Sequence, residues 1–300
     1  MKKKGIAIIS LILLAIIAVV AGVKIKQNHQ QNAIQEIQPV KVSASTVPTF
    51  FFHGWGSSWH AEDTMAQAIK KAGATNTIVR VNVARNGKAK LIGKIKKNAK
   101  NPLVEVNFAD HKLTRYQHAG QYAHAYDTAG ARYVKNAIDL VRNKYHYQHI
   151  NIAAHSMGNL EVASYIKMNA TKKIFPKINH LVAMAGHYDG IVGENDKPNQ
   201  VKINKKTGKP SIMRPEFRNL LSLRKVFPRE TKVLNIYGNL EDGTNSDGDV
   251  SNASAQSLKY LINGRAKSYR ELMIRGKGGQ HSRLHNNAQV NRALVNFLWK

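Results

Sequence analysis

The sequence predicts an α/β fold in which a mostly parallel β-sheet is covered by helices on both faces. Two observations support this prediction. Short apolar runs typical of buried strands alternate with helix-length segments along the chain, and hydrophobic residues make up 43% of it, as in globular proteins. Strand-helix alternation favours parallel strands joined by helical crossovers. We therefore expect functional side chains beyond the carboxyl ends of the strands.

The predicted elements follow one another regularly. The strands are predicted in VPTFFFHG, TIVRVNV with a hairpin partner, LVEVNF, HINIAA, HLVAMAG, KVLNIYG and YRELMI. The helices are predicted at 61–71, 123–144, 160–168, 255–262 and 288–299. The Asn86-Gly87 pair in the hairpin is typical of a type I′ turn, because both residues accept a positive φ.

The first 26 residues are predicted to be a signal anchor. Three initial lysines precede an uncharged apolar run at residues 5–23, which is 19 residues long, and a spanning helix needs about 20. Positive charge before the run favours a cytoplasmic N-terminus. A cleaved signal peptide is the alternative. We expect a single-pass protein of the cell membrane with its C-terminal domain outside.

The rest of the chain is predicted to be a polar tether, 27–46, and one domain, 47–300. Lys and Arg number 46 against 18 Asp and Glu, a net charge of +28, which favours contact with an anionic wall polymer or lipid headgroups. Binding to nucleic acid is not expected, because the chain is predicted to be exported and its positive charge is not accompanied by an aromatic-basic motif. Cysteine is absent, so disulfides and thiolate chemistry are excluded.

Ser156 lies at a predicted strand-helix bend, in the segment AAHSMGN. A nucleophilic serine at such a bend is usually found in the pattern G-x-S-x-G, where strand and helix leave little room between them. Here Ala154 occupies the first glycine position and Gly158 keeps the second. Taken alone, this pattern is weak evidence for a nucleophile.

Acidic and histidine residues follow Ser156 after later strands. Asp247 comes 91 residues after Ser156, and His281 comes 34 residues after Asp247, in the chain order of a Ser-Asp-His triad. Asp242 and Asp249 remain alternatives to Asp247. His285 lies four residues after His281 and is a second candidate base, whereas His155 is expected to be a packing residue.

The domain resembles the lipase and esterase branch of the α/β-hydrolase superfamily. AAHSMGN is similar to the nucleophile bend of small bacterial lipases, HGWGSS to their oxyanion segment, SDGDVSNASA to their acid loop and HSRLHNNAQVNRALVNFL to their last histidine segment. Together with the N-terminal apolar run, these segments suggest the cell-surface hydrolases of Gram-positive bacteria, largely of unknown function. The resemblance implies an α/β-hydrolase fold with a cap insertion at about 187–228.

The resemblance also implies a role for each site residue. Ser156 would be the nucleophile, His281 the base and Asp247 the acid that orients it. The backbone N–H groups of Trp55 and Met157 would form the oxyanion hole. No metal or cofactor is expected, since H-E-x-x-H is absent and DGTNSDGD lacks the first and last calcium ligands.

The sequence thus predicts an extracellular, membrane-tethered serine hydrolase that acts on an ester substrate through an acyl-enzyme. The cap is rich in lysine, which suggests a polar or anionic substrate unless the segment is a solvated loop. The alternative function is a catalytically idle hydrolase fold that binds anionic wall polymer or lipid headgroups through its positive charge.

Overall fold

The computed structural model describes residues 39–116 and 122–300. The predicted anchor, 1–26, and the first part of the predicted tether lie outside these ranges. Among the described residues, no helix is both long and apolar enough to cross a membrane.

The described strands form one eight-stranded sheet in the order β3-β2-β4-β1-β5-β6-β7-β8. The strands are β1 Thr49–Phe52, β2 Ile78–Val83, β3 Ala89–Ile92, β4 Leu103–Phe108, β5 His149–His155, β6 Lys177–Met184, β7 Lys232–Asn239 and β8 Ser268–Arg275. All neighbours pair in parallel except β2 and β3, which pair antiparallel. The predicted, mostly parallel sheet is therefore present.

Helices cover both faces of this sheet. They are α1 His60–Lys71, α2 Ala123–Ala125, α3 Ala131–Tyr145, α4 Met157–Asn169, α5 Pro215–Asn219, α6 Leu223–Val226, α7 Asn252–Gln256, α8 Leu258–Ile262 and α9 Ala288–Trp299. In the central strand β1, Phe50 and Phe52 pack in the core on one face, and Phe51 packs in the core on the other. An uninterrupted aromatic run suits this strand because successive side chains point to opposite, equally buried faces.

Three predicted helices differ from those observed. The predicted helix 123–144 contains a π-helical turn, Tyr126–Gly130, between α2 and α3. A Cβ on Gly130 would lie 2.8 Å from Cγ of Glu161, so this turn approaches α4 closely. The predicted helix 255–262 is divided into α7 and α8, and the helix predicted at 160–168 already begins at Met157.

The hairpin between β2 and β3 is present, but the predicted type I′ turn is wrong. Gly87 has a φ of 89°, whereas Asn86 is not among the residues with positive φ. The N–H of Gly87 donates to the carbonyl of Ala84 at 2.8 Å, and Ala84 N–H donates to the carbonyl of Lys88 at 2.9 Å. The chain therefore makes a tight turn followed by one left-handed glycine, the other common hairpin connection.

The end of the predicted tether packs on the domain. Val40 N–H donates to the carbonyl of Ala72 at 3.2 Å, and Ser43 N–H donates to the carbonyl of Trp299 at 3.0 Å. The side chain of Asn101 donates to the carbonyl of Ser43 at 3.1 Å. Contacts with the domain thus begin several residues before position 47, the start predicted from the sequence.

Candidate active site

The sequence-predicted site residues meet at the carboxyl end of the central strands. Ser156 directly follows β5, Asp247 lies in the loop after β7, and His281 follows β8. The segment that begins at Gly54 follows β1, the neighbour of β5. Parallel pairing brings these strand ends to one edge of the sheet, as expected for an α/β fold.

Ser156 occupies a strained bend between β5 and α4. Its φ of 51° and ψ of −122° are rarely adopted by residues other than glycine. The N–H of Ser156 donates to the carbonyl of Met184 at 2.9 Å, and α4 begins at the next residue, Met157. Strain held in place by its surroundings is typical of functional positions.

The two small positions around Ser156 have different steric demands. A Cβ on Gly158 would lie 2.8 Å from the backbone oxygens of Phe52 and His53, so only glycine fits there without backbone movement. Ala154 lies fully buried within β5, and its methyl group is accommodated. The substitution of alanine for the usual first glycine is therefore compatible with the bend.

A chain of hydrogen bonds joins the three predicted residues. Nε2 of His281 lies 2.9 Å from Oγ of Ser156, and Nδ1 lies 2.9 Å from Oδ2 of Asp247. The other oxygen of Asp247 accepts from the N–H groups of Asp249 at 3.0 Å and Val250 at 2.7 Å. Because an ionised carboxylate only accepts, we assign the neutral imidazole its proton on Nδ1, which leaves Nε2 to accept the serine proton.

The surroundings of His281 favour its protonated form. Burial by itself would lower the pKa of His281, but the hydrogen bond and negative charge of Asp247, with the charge of Asp249, outweigh burial and raise that pKa above 6.5. Oδ2 of Asp249 lies 4.0 Å from Nε2 of His281. The site can therefore stabilise an imidazolium ion.

The structure distinguishes among the candidate acids. Asp242 is exposed and accepts hydrogen bonds from Thr244. Asp249 is 59% exposed and lies beside the serine-facing nitrogen of His281, not beside Nδ1. Asp247 is buried and contacts Nδ1, so it is the aspartate whose geometry fits the predicted acid.

His155 supports His281 in a way that the sequence did not reveal. Its Nε2 lies 3.1 Å from the backbone carbonyl of His281, and its ring packs against the rings of His281 and His285. Burial lowers the pKa of His155 well below 6.5, so the ring is neutral and its Nε2–H donates to this carbonyl. The prediction of a packing residue is correct but incomplete.

Asn159 is a second supporting residue that the sequence left without a role. Its side-chain NH₂ donates to the carbonyls of Ser156 at 3.1 Å and Met184 at 2.9 Å. Its side-chain oxygen accepts from the hydroxyl of Tyr188 at 3.3 Å. The sequence placed it directly after Gly158 but indicated no role for it.

The segment after β1 lies directly beside Ser156. A Cβ on Gly54 would come within 2.9 Å of Cβ of Ser156, so glycine permits this approach. The N–H of Gly56 donates to the carbonyl of His111 at 2.9 Å, which fixes the turn. Trp55 and Met157 both line the cleft next to Ser156, where their N–H groups are predicted to act.

Ser156 and His281 open into a cleft of about 370 Å³. The lining includes Trp55, Tyr122, Tyr126, His155, His187, Ile191, Val192, Glu194, Asp249, Val250, Ser282 and His285. Four of these residues belong to the predicted cap, yet none of the cap's lysines is among the described lining residues. The charged groups other than histidine are two carboxylates, so this lining does not support the anionic substrate that the composition of the cap suggested.

Buried ion pairs anchor the cap segment beside the cleft. The guanidinium of Arg214 lies 2.8 Å from Oδ1 of Asp196 and 3.6 Å from Oδ2 of Asp189. The hydroxyl of Ser251 donates to Asp196 at 2.6 Å, which joins the segment to the loop that carries Asp247. Within the described ranges, no group of three or more potential ligand side chains is arranged to bind a metal.

Two solved structures share this architecture. The lin2722 gene product of Listeria innocua is 24% identical, with a TM-score of 0.73 over 85% of this chain and 94% of that one. A candidate cell surface hydrolase from Lactobacillus plantarum is 20% identical, with a TM-score of 0.63 over 85% of this chain and 90% of that one. No curated protein gives a significant match.

The family pattern of an α/β hydrolase of unknown function, DUF915, matches residues 36–300. This match covers the described fold and all of the candidate site residues. It confirms the α/β-hydrolase fold expected from the sequence. The chain belongs to this α/β-hydrolase family.

Proposed function

We propose that this protein is a serine hydrolase that cleaves carboxylic esters through an acyl-enzyme. The observation that carries the proposal is the continuous hydrogen-bond chain from Ser156 through His281 to Asp247, which opens into a cleft. The buried Asp247 accepts two backbone N–H bonds, so the carboxylate is oriented before substrate binds.

The first half of the reaction acylates the serine. Nε2 of His281 takes the proton as Oγ of Ser156 attacks the carbonyl carbon, and Asp247 stabilises the resulting imidazolium. The N–H groups of Trp55 and Met157 stabilise the oxyanion, with about 3 kcal/mol for each donor. Collapse of the tetrahedral intermediate transfers the proton from Nε2 to the leaving alcohol. In the second half, Nε2 of His281 takes a proton from water as the water oxygen attacks the acyl carbon. The proton then passes to Oγ of Ser156, and the carboxylic acid is released.

Labelling by a fluorophosphonate probe tests the nucleophile directly. We expect the full-length protein to react at Ser156 and the Ser156→Ala variant not to react. Ser282→Ala is the matched control. Ser282 also lines the cleft, but it is not part of the hydrogen bonds that link Ser156, His281 and Asp247. Absence of labelling in the folded wild-type protein, or labelling that survives in Ser156→Ala, would contradict the proposal.

We further propose that the apolar run at residues 5–23 anchors the domain on the outer side of the cell membrane. The run and the three lysines before it support this topology. Added protease should degrade the domain in intact cells while the protein sediments with membranes. Recovery in the soluble fraction, or protection until the cells are lysed, would contradict the proposed location.

A basic groove supports a second property, the binding of anionic polymer. A cleft of about 640 Å³ lies at the amino ends of β5, β6 and β7, opposite the active-site edge. The basic residues Lys172, Lys177, Arg229, Lys232 and Lys267 line it, with Glu230 as the one acidic residue among the described lining. Binding to a phosphate-rich wall polymer should weaken with salt and in Lys177→Glu/Lys232→Glu; equal binding by this variant would contradict the assignment.

A further inference from the structure

The charge of the candidate active-site cleft is opposite to that of the whole chain. Lys and Arg outnumber Asp and Glu by 46 to 18, yet the described cleft lining contains Glu194 and Asp249 and no lysine or arginine. Neither carboxylate forms an ion pair with a lysine or arginine among the described residues; the nearest paired group is His281, 4.0 Å from Asp249. Both negative charges are therefore available to a ligand.

The other histidines of the cleft do not neutralise these carboxylates. Burial lowers the pKa of His155 well below 6.5 and that of His187 to about 3, and it also lowers the pKa of His285. These three rings are neutral at neutral pH. His187 is buried, and its Nε2 lies 3.2 Å from the hydroxyl of Tyr126, so this ring adds no positive charge to the wall.

The position of Asp249 identifies the part of the substrate that it faces. In the proposed reaction, Nε2 of His281 gives its proton to the leaving oxygen, which must then lie about 3 Å from this nitrogen. Oδ2 of Asp249 is 4.0 Å from the same nitrogen. The leaving alcohol therefore starts within reach of the Asp249 carboxylate, and a group two or three bonds further along can contact it.

The cleft also contains aromatic side chains. The rings of Tyr122 and Tyr126 stack with their centroids 5.8 Å apart, and both residues line the cleft with Glu194. Aromatic faces attract ammonium groups, and quaternary ammonium ions in particular. Carboxylates and aromatic rings together are suited to a cationic ligand.

We propose that this cleft selects esters whose alcohol portion carries a positively charged ammonium group. This group lies two or three bonds from the ester oxygen and contacts the carboxylate of Asp249. The inference rests on the proposed function, since the ester must be cleaved at Ser156 for its alcohol to face His281. Glu194 adds a second negative charge to the same cleft. Anionic alcohols are disfavoured by both carboxylates.

Matched thioesters test this selectivity. Acetyl and butyryl esters of thiocholine are compared with those of 3,3-dimethylbutanethiol, which has the same shape without the charge, and of 3-mercaptopropionate, which is anionic. The chain has no cysteine, so a thiol reagent detects only the released thiol. At about 0.15 M salt, screening removes most of the long-range field of the chain while contacts a few Å apart persist.

We expect kcat/KM for the cationic ester to exceed that for the neutral isostere by about fivefold or more, a size typical of partly exposed charge pairs. Asp249→Asn should reduce this ratio about fivefold, and Asp249→Glu should restore part of it. The ratio cancels changes in the basicity of His281, which affect both esters alike. Asp242→Asn removes the same charge from an exposed position on the same loop and should leave the ratio unchanged.

The failures of the two proposals are distinguishable. If Ser156 is labelled by the fluorophosphonate and the neutral ester is cleaved as fast as the cationic one, the selectivity is refuted and the serine hydrolase stands. If no thioester is cleaved but Ser156 is labelled, choline should slow labelling more than 3,3-dimethylbutanol does, and equal effects refute the selectivity. If Ser156 is not labelled, both proposals fail.

Discussion

His281 and Asp247, 34 residues apart in the chain, are joined by two hydrogen bonds. Nδ1 of His281 lies 2.9 Å from Oδ2 of Asp247, and the backbone N–H of His281 donates to the backbone carbonyl of Asp247 at 2.9 Å. The backbone bond fixes the position of His281, the first residue of a 3₁₀-helical segment, His281–Asn286, and the side-chain bond fixes the rotation of its ring. The loop after β7 and the segment after β8 are thus held together at the candidate site.

Asp247→Asn should lower kcat by about 10³- to 10⁴-fold with little change in folding. The amide can present an N–H to His281 and so favour the wrong tautomer, while the shape of the side chain is kept. Ester hydrolysis at saturating substrate measures the effect. Asp242→Asn is the control, and a similar loss in that variant would show that the effect is not specific to Asp247.

Activity should depend on pH through His281. The base must be neutral to accept the serine proton, and the pKa of His281 is raised above 6.5 in the folded protein. The value of kcat/KM should therefore fall as pH drops through that raised pKa, with its acidic midpoint above 6.5. Asp249→Asn removes one of the charges that raise this pKa, so the midpoint should move to lower pH. A midpoint below 6.5 in the wild-type protein would contradict this electrostatic description.

The two small positions around Ser156 should respond differently to substitution. Gly158→Ala should destabilise the protein by about 1–3 kcal/mol, because its Cβ would meet the backbone of β1. Ala154→Gly should keep the ester-hydrolysing activity and cost about 0.5–1 kcal/mol, the ordinary effect of glycine in a strand. Chemical denaturation measures both. Equal effects of the two substitutions would argue against the steric distinction.

The hydrogen bond from His155 to His281 should contribute to activity more than to stability. His155→Phe keeps an aromatic ring between His281 and His285 but removes the donor to the carbonyl of His281. We expect kcat to fall about fivefold, as for the loss of one neutral hydrogen bond of about 1 kcal/mol. If a folded His155→Phe variant has the same kcat as the wild-type protein, the role of His155 is packing alone.

Glu161 should make stability dependent on pH. Its carboxyl group is fully buried without a hydrogen-bond partner, and burial raises its pKa well above 4.5. The unfolded chain loses this proton near pH 4.5 while the folded protein keeps it, so stability falls as pH rises from there to the folded pKa.

Glu161→Gln replaces the titratable carboxyl group with a neutral amide of nearly the same shape. The free energy of unfolding of the variant, relative to wild type, should rise by up to about 1.4 kcal/mol per pH unit in that window. Denaturation at several pH values measures the difference. A constant difference would show that Glu161 does not titrate between the two states.

Strand patterns could be predicted because they depend on local sequence. The apolar run of β1 follows from burial on both faces of the sheet. The alternation at Val79, Val81 and Val83 in β2 follows from burial on one face. The chain order of Ser156, Asp247 and His281 likewise placed each residue after a strand. These features need only the side-chain periodicity of a strand and the rule that sites form at strand ends.

Other features could not be predicted from local sequence. The π-helical turn before α3 lies where Gly130 approaches Glu161 of α4, and the hairpin turn differs from the type I′ turn that Asn86-Gly87 favours by itself. Asp242, Asp247 and Asp249 have similar local surroundings in sequence, and only their positions relative to His281 distinguish them. The roles of His155 and Asn159 depend on carbonyl groups that the fold brings beside them.

The sequence by itself determined the class of fold, the residues available for catalysis and the side of the sheet on which they gather. Only the tertiary structure decided which aspartate contacts His281, which side chains support the nucleophile and which sign of charge lines the cleft. The physical reason is distance. Periodicity fixes the direction of a side chain within its own element, whereas a 2.9 Å contact between residues 125 positions apart depends on the order and register of every strand between them.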